Sequence, residues 1–313
     1  MILFRAIYRG FLEILRRSES KTLGTFFTNV SLSVAKILKV QEIPLFLRQF
    51  ISLAQPSDPL KDENLPTIDI AIPCHGRDFV NLPLVIEGAR KSTKNPIGKL
   101  HLITPSLFAT ELQSKFPDCL VSTDEDVLGE DLIKAITDLA PNERRGWFMQ
   151  QAIKLRISML SAEVATLIVD ADTILLRPKV WLDSKGRQIL SISNEYHHPY
   201  KEHLRRMFGW KSYLLSFVTH HQLMKKESLI EIFGQDGEDI TKWLKLADFS
   251  ESSAICEYET YGEFMMKCKS DEIMFSKWNN ISEKIFFENG NLDYAKVKAR
   301  YSKYGSISNH HYL

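Results

Sequence analysis

The sequence lacks paired cysteines, long apolar runs and a marked excess of charge of either sign. Its four cysteines are scattered and form no C-x-x-C pair, which excludes a zinc knuckle or a thioredoxin-like site and favours reduced thiols. No run approaches the roughly 18 apolar residues of a transmembrane helix, and arginines interrupt the apolar N-terminus, unlike in a signal peptide. A formal net charge of +1 argues against broad electrostatic capture of nucleic acid. Together these absences favour a cytoplasmic protein.

Residues 1–60 differ in character from the rest and are predicted to form a helical extension to a main domain at residues 61–313. Apolar residues recur there at three- and four-residue steps, as at Phe4, Ile7, Phe11 and Ile14. Eight Lys/Arg against four Asp/Glu give the segment a net charge of +4. A basic amphipathic helix suits an anionic surface, here the inner face of the cell membrane. The alternative is that its apolar stripe packs on the main domain or on a second copy in a homodimer.

The main domain begins with a pattern of strand, helix and strand, after a turn-rich linker at residues 55–59. The predicted strands and helices are Ile68–Ile72, Leu82–Lys91, Leu100–Thr104, Phe116–Val121, Gly146–Leu160, residues 166–169, Ser216–Thr219 and Lys226–Phe233. Strand, helix and strand at this spacing predict βαβ units and a parallel sheet. The 313 residues, 44% of them hydrophobic and 25% charged, are enough to bury one large core.

The stretch LIVDADTILLRP, from Leu167 to Pro178, places two aspartates at the end of an apolar strand. In an open parallel sheet, ligands bind beyond the carboxyl ends of the strands. Two hard carboxylates suit Mg²⁺ or Mn²⁺ shared with substrate phosphate oxygens. If the chain stays extended, Asp170 and Asp172 point the same way and Ala171 turns into the core.

With its neighbouring motifs, this stretch resembles the GT-A-fold glycosyltransferases. In style it resembles the glycogenin-like group, and over a longer span it also resembles an uncharacterised bacterial family related to that fold. The matching pieces, spread over about residues 66–313, are VDADTILLRP, IAIPCHGRD (Ile70–Asp78), GWFMQQAIKL (Gly146–Leu155), SFVTHH (Ser216–His221) and CEYETYGEF (Cys256–Phe264). The resemblance implies an α/β, Rossmann-like fold with a mixed, mostly parallel sheet flanked by helices. It also implies metal-dependent transfer of a sugar from a nucleotide-diphosphate sugar, a UDP-sugar first, to a saccharide or glycolipid acceptor, as in polysaccharide biosynthesis.

The same resemblance assigns residues to roles. Asp170 and Asp172 would hold Mn²⁺ or Mg²⁺, Asp172 most directly, with His310 or His311 as the third ligand. The residues expected near the donor nucleotide sugar are Arg77, Asp78, Gln151, Lys154, Asp170 and Ala171. On the acceptor side, Glu257 or Glu259 would be the general base, and His220 would contact acceptor or phosphate. The His-x-x-Gly-x-x-Lys-Pro-Trp signature of the glycogenin-like group is absent.

Two other functions fit parts of the pattern. Asp170 and Asp172 could be the nucleophile and general acid of a haloacid-dehalogenase-like phosphatase. That class, however, usually carries the motif on its first strand, whereas here a βαβ unit comes first. A non-catalytic module that binds nucleotide sugar or glycan would explain the missing signature. His197, His198 and His203, predicted to lie in a loop, form a weaker metal candidate. The resemblance to the glycogenin-like group favours retention of the anomeric configuration of the sugar, whereas Glu257 as general base would suit inversion.

Overall fold

A computed structural model describes residues 51–61, 63–213, 215–251, 253–285 and 293–309. Residues 1–50 of the predicted helical extension, His310 and His311 lie outside these ranges. The strands are β1 Ile68–Pro73, β2 Ile97–Thr104, β3 Leu120–Thr123, β4 Ala165–Val169, β5 Thr173–Leu175, β6 Gln188–Ile192, β7 His221–Lys225, β8 Ile273–Lys277, β9 Asn280–Ser282 and β10 Ser306–Ser308. The helices are α1 Leu82–Ser92, α2 Ser106–Lys115, α3 Asp124–Leu139, α4 Arg145–Leu160, α5 His198–Phe208, α6 Lys226–Phe233, α7 Ile240–Lys245, α8 Glu257–Cys268 and α9 Tyr294–Arg300.

A five-stranded sheet in the order β3-β2-β1-β4-β7 forms the centre of the fold. The strands from β3 to β4 are parallel, and β7 runs antiparallel to β4, with Val169 opposite His221. Every residue of β1 and β4 is buried, as expected for central strands covered by helices on both faces. The predicted mixed α/β fold with a mostly parallel sheet is confirmed.

The side chains of β4 alternate between two hydrophobic cores. Ile168 joins the core that contains Phe148 of α4 and much of α8. Leu167 and Val169 join the core built on α1. Because side chains along a strand alternate with period two, the residue after Val169 points to the same side as Ile168, toward α4 and α8. That residue is Asp170.

Smaller sheets complete the main body. One has the order β5-β10-β9, and the other pairs β6 with β8. The predicted linker packs against β8: the N–H of Lys277 donates to the carbonyl of Pro56 at 2.7 Å, and the hydroxyl of Ser276 donates to that of Ser57 at 2.8 Å. The turn-rich linker predicted at residues 55–59 therefore packs on the main domain, where carbonyls of its backbone accept hydrogen bonds from β8.

Most predicted helices and strands are found within a few residues of their expected ends, but two predictions are wrong. Residues Ser216–Thr219 are not a strand: pairing with β4 starts only at His221, after His220 adopts a positive φ of 61°. His198 and His203 lie on helix α5, not in a loop. In the described ranges, no helix combines the length and apolar character that crossing a bilayer requires.

Candidate active site

The candidate site begins where β4 ends. The chain turns at once, because the N–H of Thr173 donates to the carbonyl of Asp170 at 2.9 Å. The extended Asp-x-Asp predicted from the sequence is therefore wrong. Pairing of β4 with β7 stops at Val169, and β5 belongs to another sheet, so a reversal must fall between the two strands. Ala171 is buried in the core, as expected.

Asp170 is the centre of a polar cluster. Its Oδ1 accepts from the ammonium of Lys154 at 2.6 Å and from the hydroxyl of Tyr258 at 2.8 Å. Its Oδ2 accepts from Nδ1 of His220 at 3.3 Å, and its own N–H donates to the carbonyl of His220. Three elements, α4, α8 and the segment before β7, therefore converge on one carboxylate.

Lys154 reaches Asp170 from the buried middle of α4. The polar stripe Gln151, Lys154 and Ser158 on α4 is as buried as the apolar one, because α8 covers it. The ammonium of Lys154 also donates to Oε1 of Glu257 at 2.7 Å, and the side chains of Lys154 and Glu257 are only 3% and 1% exposed. Gln151 Oε1 accepts from the N–H of Glu257 at 3.4 Å. A lysine with so little solvent exposure needs such counter-ions for its ammonium to stay charged.

His220 extends the cluster toward solvent. Its Nδ1 contacts Asp170, and its Nε2 lies 3.1 Å from Oε1 of Glu195, whose side chain is 44% exposed. The indole of Trp278 donates to the carbonyl of Thr219 at 3.0 Å and helps hold the backbone before His220. The result is a chain of side chains from the surface inward, Glu195, His220, Asp170, Lys154 and Glu257, which we call the relay.

The charges of the relay alternate. Burial opposes the charged forms, but hydrogen bonds to Asp170 and Glu195 raise the pKa of His220 to about 10. Burial alone would raise the pKa of Asp170, yet Lys154 and His220 hold it well below its usual range. Burial would lower the pKa of Lys154, but the two carboxylates raise it. Burial raises the pKa of Glu257, opposed by the charge of Lys154. At neutral pH two cations therefore flank the partly buried carboxylate of Asp170.

Asp172 lies two residues farther along the turn. Its Oδ1 accepts from the Thr173 hydroxyl at 3.3 Å, and its carbonyl accepts from the N–H of Asn309 at 2.7 Å. The amide of Asn309 also donates to Oδ1 of Asn81 at 2.7 Å. Asn309 thus ties the turn to the loop that follows β1, and His310 and His311 come directly after it in the chain.

The loop after β1 lies at the same carboxyl edge of the sheet. Asp78 folds it by accepting the N–H of His75 at 2.8 Å, whereas the Arg77 side chain is 80% exposed. The His75 and Phe108 rings meet edge to face with centroids 4.9 Å apart. A Cβ on Gly76 would lie 2.8 Å from the Phe108 ring, so glycine is needed for this close packing. Asp78 therefore shapes the loop, and Arg77 projects from it.

Other predicted residues do not join the relay. Glu259 pairs with Lys201 at 2.7 Å in a separate buried cluster. His203 Nε2 lies 2.8 Å from the carbonyl of Trp243, and His197 Nε2 lies 2.9 Å from that of Ser253. Both histidines therefore pair with backbone carbonyls, an ordinary structural role of an imidazole ring.

The donor set suits an oxygen-preferring divalent cation in chemistry. Asp170 and Asp172 supply hard carboxylate oxygens. Both oxygens of Asp170 receive protein donors, and Oδ1 of Asp172 accepts the Thr173 hydroxyl, so an ion held by this pair would share their oxygens with these donors. Within the described ranges, no group of three or more His, Cys, Asp and Glu side chains is arranged to hold a metal. The two histidines expected to complete the set lie beyond Asn309.

Sequence reasoning missed Tyr258, Glu195 and Asn309. Tyr258 lies within the CEYETYGEF motif, but the two glutamates that flank it were predicted as the functional residues instead. Glu195 and Asn309 carry no local signal, because their partners are distant in sequence.

No protein-family model matches the chain, and no curated protein matches it. Among solved structures it is similar to mouse xyloside xylosyltransferase 1, at 7% identity and a TM-score of 0.46, over 79% of this chain and 98% of that one. It is also similar to the galactosyltransferase LgtC in complex with donor and acceptor sugar analogs, at 11% identity and a TM-score of 0.40, over 77% and 86%.

A third structure matches over a shorter span. It is the glucosyl-3-phosphoglycerate synthase of Mycobacterium tuberculosis in complex with Mn²⁺, UDP and glucosyl-3-phosphoglycerate, at 15% identity and a TM-score of 0.22, over 35% of this chain and 34% of that one. At these identities and TM-scores, the function of this chain has to be argued from its own site.

Proposed function

We propose that the protein is a metal-dependent glycosyltransferase that moves a sugar from a nucleotide-diphosphate sugar, UDP-sugar first, to a saccharide or glycolipid acceptor. The relay at the carboxyl end of the parallel sheet is the observation that carries this proposal. Two cations, the buried Lys154 and the partly buried His220, stand beside Asp170 where open α/β sheets bind their ligands. A diphosphate leaving group develops negative charge, which fixed cations in a buried site stabilise strongly.

Asp170 and Asp172, with His310 or His311, are the residues that would hold Mn²⁺ or Mg²⁺. Such an ion neutralises charge on the leaving nucleoside diphosphate as a Lewis acid. Lys154 is a point charge on a flexible stem, so its ammonium can exchange Asp170 for a phosphate oxygen while Glu257 keeps it in place. His220 supplies a second cation, and Arg77 projects from the loop expected beside the nucleotide.

The position of Glu257 argues against its expected role as general base. The side chain is 1% exposed and lies beneath Lys154, so an acceptor hydroxyl does not reach it in this conformation. We assign it the role of counter-ion to Lys154. Glu195, 44% exposed and bonded to His220, is the relay carboxylate on the acceptor side. Gln151 accepts a hydrogen bond from the backbone N–H of Glu257, and we assign it no contact with the nucleotide.

The first test is thermal unfolding with UDP, GDP, CDP and their common sugars, with and without Mn²⁺. A ligand at 100 times its Kd stabilises the native state by about 2.7 kcal/mol, or roughly 5–10 °C in Tm for a domain of this size. We expect metal-dependent stabilisation by one nucleotide, lost in Asp172→Asn. The matched control is Asp131→Asn, an exposed carboxylate on α3, which should respond like the wild type.

Other outcomes select other functions. Stabilisation without turnover of any sugar nucleotide would favour the binding module. No stabilisation, together with hydrolysis of sugar phosphates that Asp170→Asn abolishes, would favour the dehalogenase-like phosphatase. For residues 1–55, loss of binding to anionic vesicles on deletion would support peripheral membrane contact, and unchanged binding would refute it.

A further inference from the structure

Tyr258 contacts both charged partners at the centre of the relay. Its hydroxyl donates to Oδ1 of Asp170 at 2.8 Å. The Lys154 ammonium lies 4.5 Å from the centroid of its ring, within cation–π distance. The residue itself is 2% exposed and stands on the first turn of α8. One rigid side chain therefore touches the acid that is to hold the cation and the lysine that is to face the diphosphate.

A comparison with another tyrosine of the same helix shows what is particular about Tyr258. Tyr261, one turn later, is also fully buried. Its hydroxyl accepts from the N–H of Lys225 at 2.8 Å and donates to Gln188 Oε1 at 2.6 Å. Those partners belong to strands β7 and β6, so Tyr261 joins α8 to the sheet. Tyr258 instead contacts two ionised side chains at the carboxyl edge of the sheet, Asp170 and Lys154.

We propose that Tyr258 is a positioning residue that fixes the distance between Asp170 and Lys154 and so sets both for the donor diphosphate. The hydroxyl occupies one lone pair of Asp170 Oδ1 and orients the carboxylate. The ring supports Lys154 from one side, while Glu257 and Asp170 hold its ammonium. When a phosphate oxygen takes the place of Asp170 beside Lys154, the hydroxyl of Tyr258 keeps Asp170 from following it. The catalytic part of this inference rests on the proposed function, whereas the positioning part stands on the contacts alone.

The test compares Tyr258→Phe with Tyr261→Phe, since each loses one buried hydroxyl and keeps its ring. Hydrogen bonds to charged groups are worth enough to change an equilibrium by about tenfold to a hundredfold. We expect Tyr258→Phe to weaken UDP binding in the presence of Mn²⁺, or to lower kcat/KM, within that range. Tyr261→Phe should lower the melting temperature at least as much and leave both binding and kcat/KM near wild-type values.

A second measurement needs no activity. The reactivity of Lys154 toward acetic anhydride, read site by site by mass spectrometry, reports how firmly its ammonium is held. We expect Tyr258→Leu, which removes the hydroxyl and the ring, to raise labelling of Lys154 several-fold, and Tyr258→Phe to raise it less. Tyr261→Phe should leave it unchanged.

The two measurements separate the possible failures. If UDP with Mn²⁺ does not bind the wild type, the proposed donor is wrong, and the labelling still decides whether Tyr258 positions Lys154. If UDP binds, but Tyr258→Phe matches Tyr261→Phe in affinity, in kcat/KM and in Lys154 labelling, Tyr258 is only a packing residue and the inference is overturned.

Discussion

Replacing Lys154 by methionine tests the electrostatics of the relay without any ligand. In the native protein the ammonium lies 2.6 Å from Asp170 and 2.7 Å from Glu257. Methionine fills similar space but leaves two carboxylates facing each other, one of them fully buried. Removing one partner of a buried ion pair costs about 3–5 kcal/mol. For a domain of this size that is roughly 6–20 °C in Tm, so we expect a folded but clearly destabilised protein.

The double variant isolates the cause. In Lys154→Met/Glu257→Gln the uncompensated charge is gone, so about 1–3 kcal/mol should return, within the range of couplings between contacting residues. The destabilisation by Lys154→Met should also shrink as the pH falls from 7 to 5. Burial already raises the pKa of Glu257, and without Lys154 the folded variant binds a proton more readily than the unfolded chain, which favours folding at lower pH.

Urea unfolding at pH 7 and pH 5 measures these differences, with Lys185→Met, an exposed lysine, as the control. The reasoning fails if Lys154→Met costs less than about 1 kcal/mol at pH 7, the level of an exposed ion pair. It also fails if Glu257→Gln adds its own cost to that of Lys154→Met instead of relieving it.

Two further predictions concern positions outside the relay, the buried His203 and the glycines Gly262 and Gly146. Burial lowers the pKa of His203 to about 4, so its stabilisation is complete above pH 6.5 and is lost as the pH falls toward 4. The shift corresponds to about 3 kcal/mol, of which about 2 fall between pH 7 and 5. His203→Gln should therefore flatten the pH dependence of urea unfolding by that amount, and an unchanged slope would contradict the burial argument. A Cβ on Gly262 would lie 2.3 Å from the Phe217 ring, so Gly262→Ala should cost about 1–3 kcal/mol by overpacking. Gly146→Ala on α4, where a Cβ meets nothing within 4 Å, should instead stabilise by up to about 1 kcal/mol. Thermal or urea unfolding that shifts both glycine variants in one direction would refute the contrast.

The sequence predicted the parts of the fold that have a local cause. Apolar runs marked the strands, periodic runs marked the helices, and their alternation predicted the parallel sheet. The placement of Asp170 at a strand end and of Lys154 on the preceding helix followed from the same patterns. These predictions succeeded because a buried strand or helix face shows itself in the spacing of the apolar residues within that same segment.

The partners within the site could not be predicted in the same way. Lys154 and Glu257 are 103 positions apart, and Asp170 and Tyr258 are 88 apart. No local period reports such a pairing. The turn at Asp170 was also missed, because where a strand stops depends on which neighbour it pairs with. β4 ends at Val169, the last residue that pairs with β7, where it lies opposite His221.

A second buried ion cluster on α8 helps to separate folding from chemistry. Lys201 lies 2.7 Å from Glu259 and 3.1 Å from Glu263, an arrangement like that of Lys154 between Asp170 and Glu257. In the Lys201 cluster, however, the carboxylates also accept backbone N–H groups of Tyr213 and Phe217, and the lysine donates to the carbonyl of Leu215. Its charges are used to hold a loop.

In the relay, the bonds to the carboxylate of Asp170 come from side chains: Lys154, Tyr258 and His220. Side chains can exchange partners for a ligand without unfolding a loop, whereas backbone groups at these depths cannot. Of the two clusters on α8, the one at the carboxyl edge of the sheet is therefore the one whose partners a ligand could replace, as the proposed function requires.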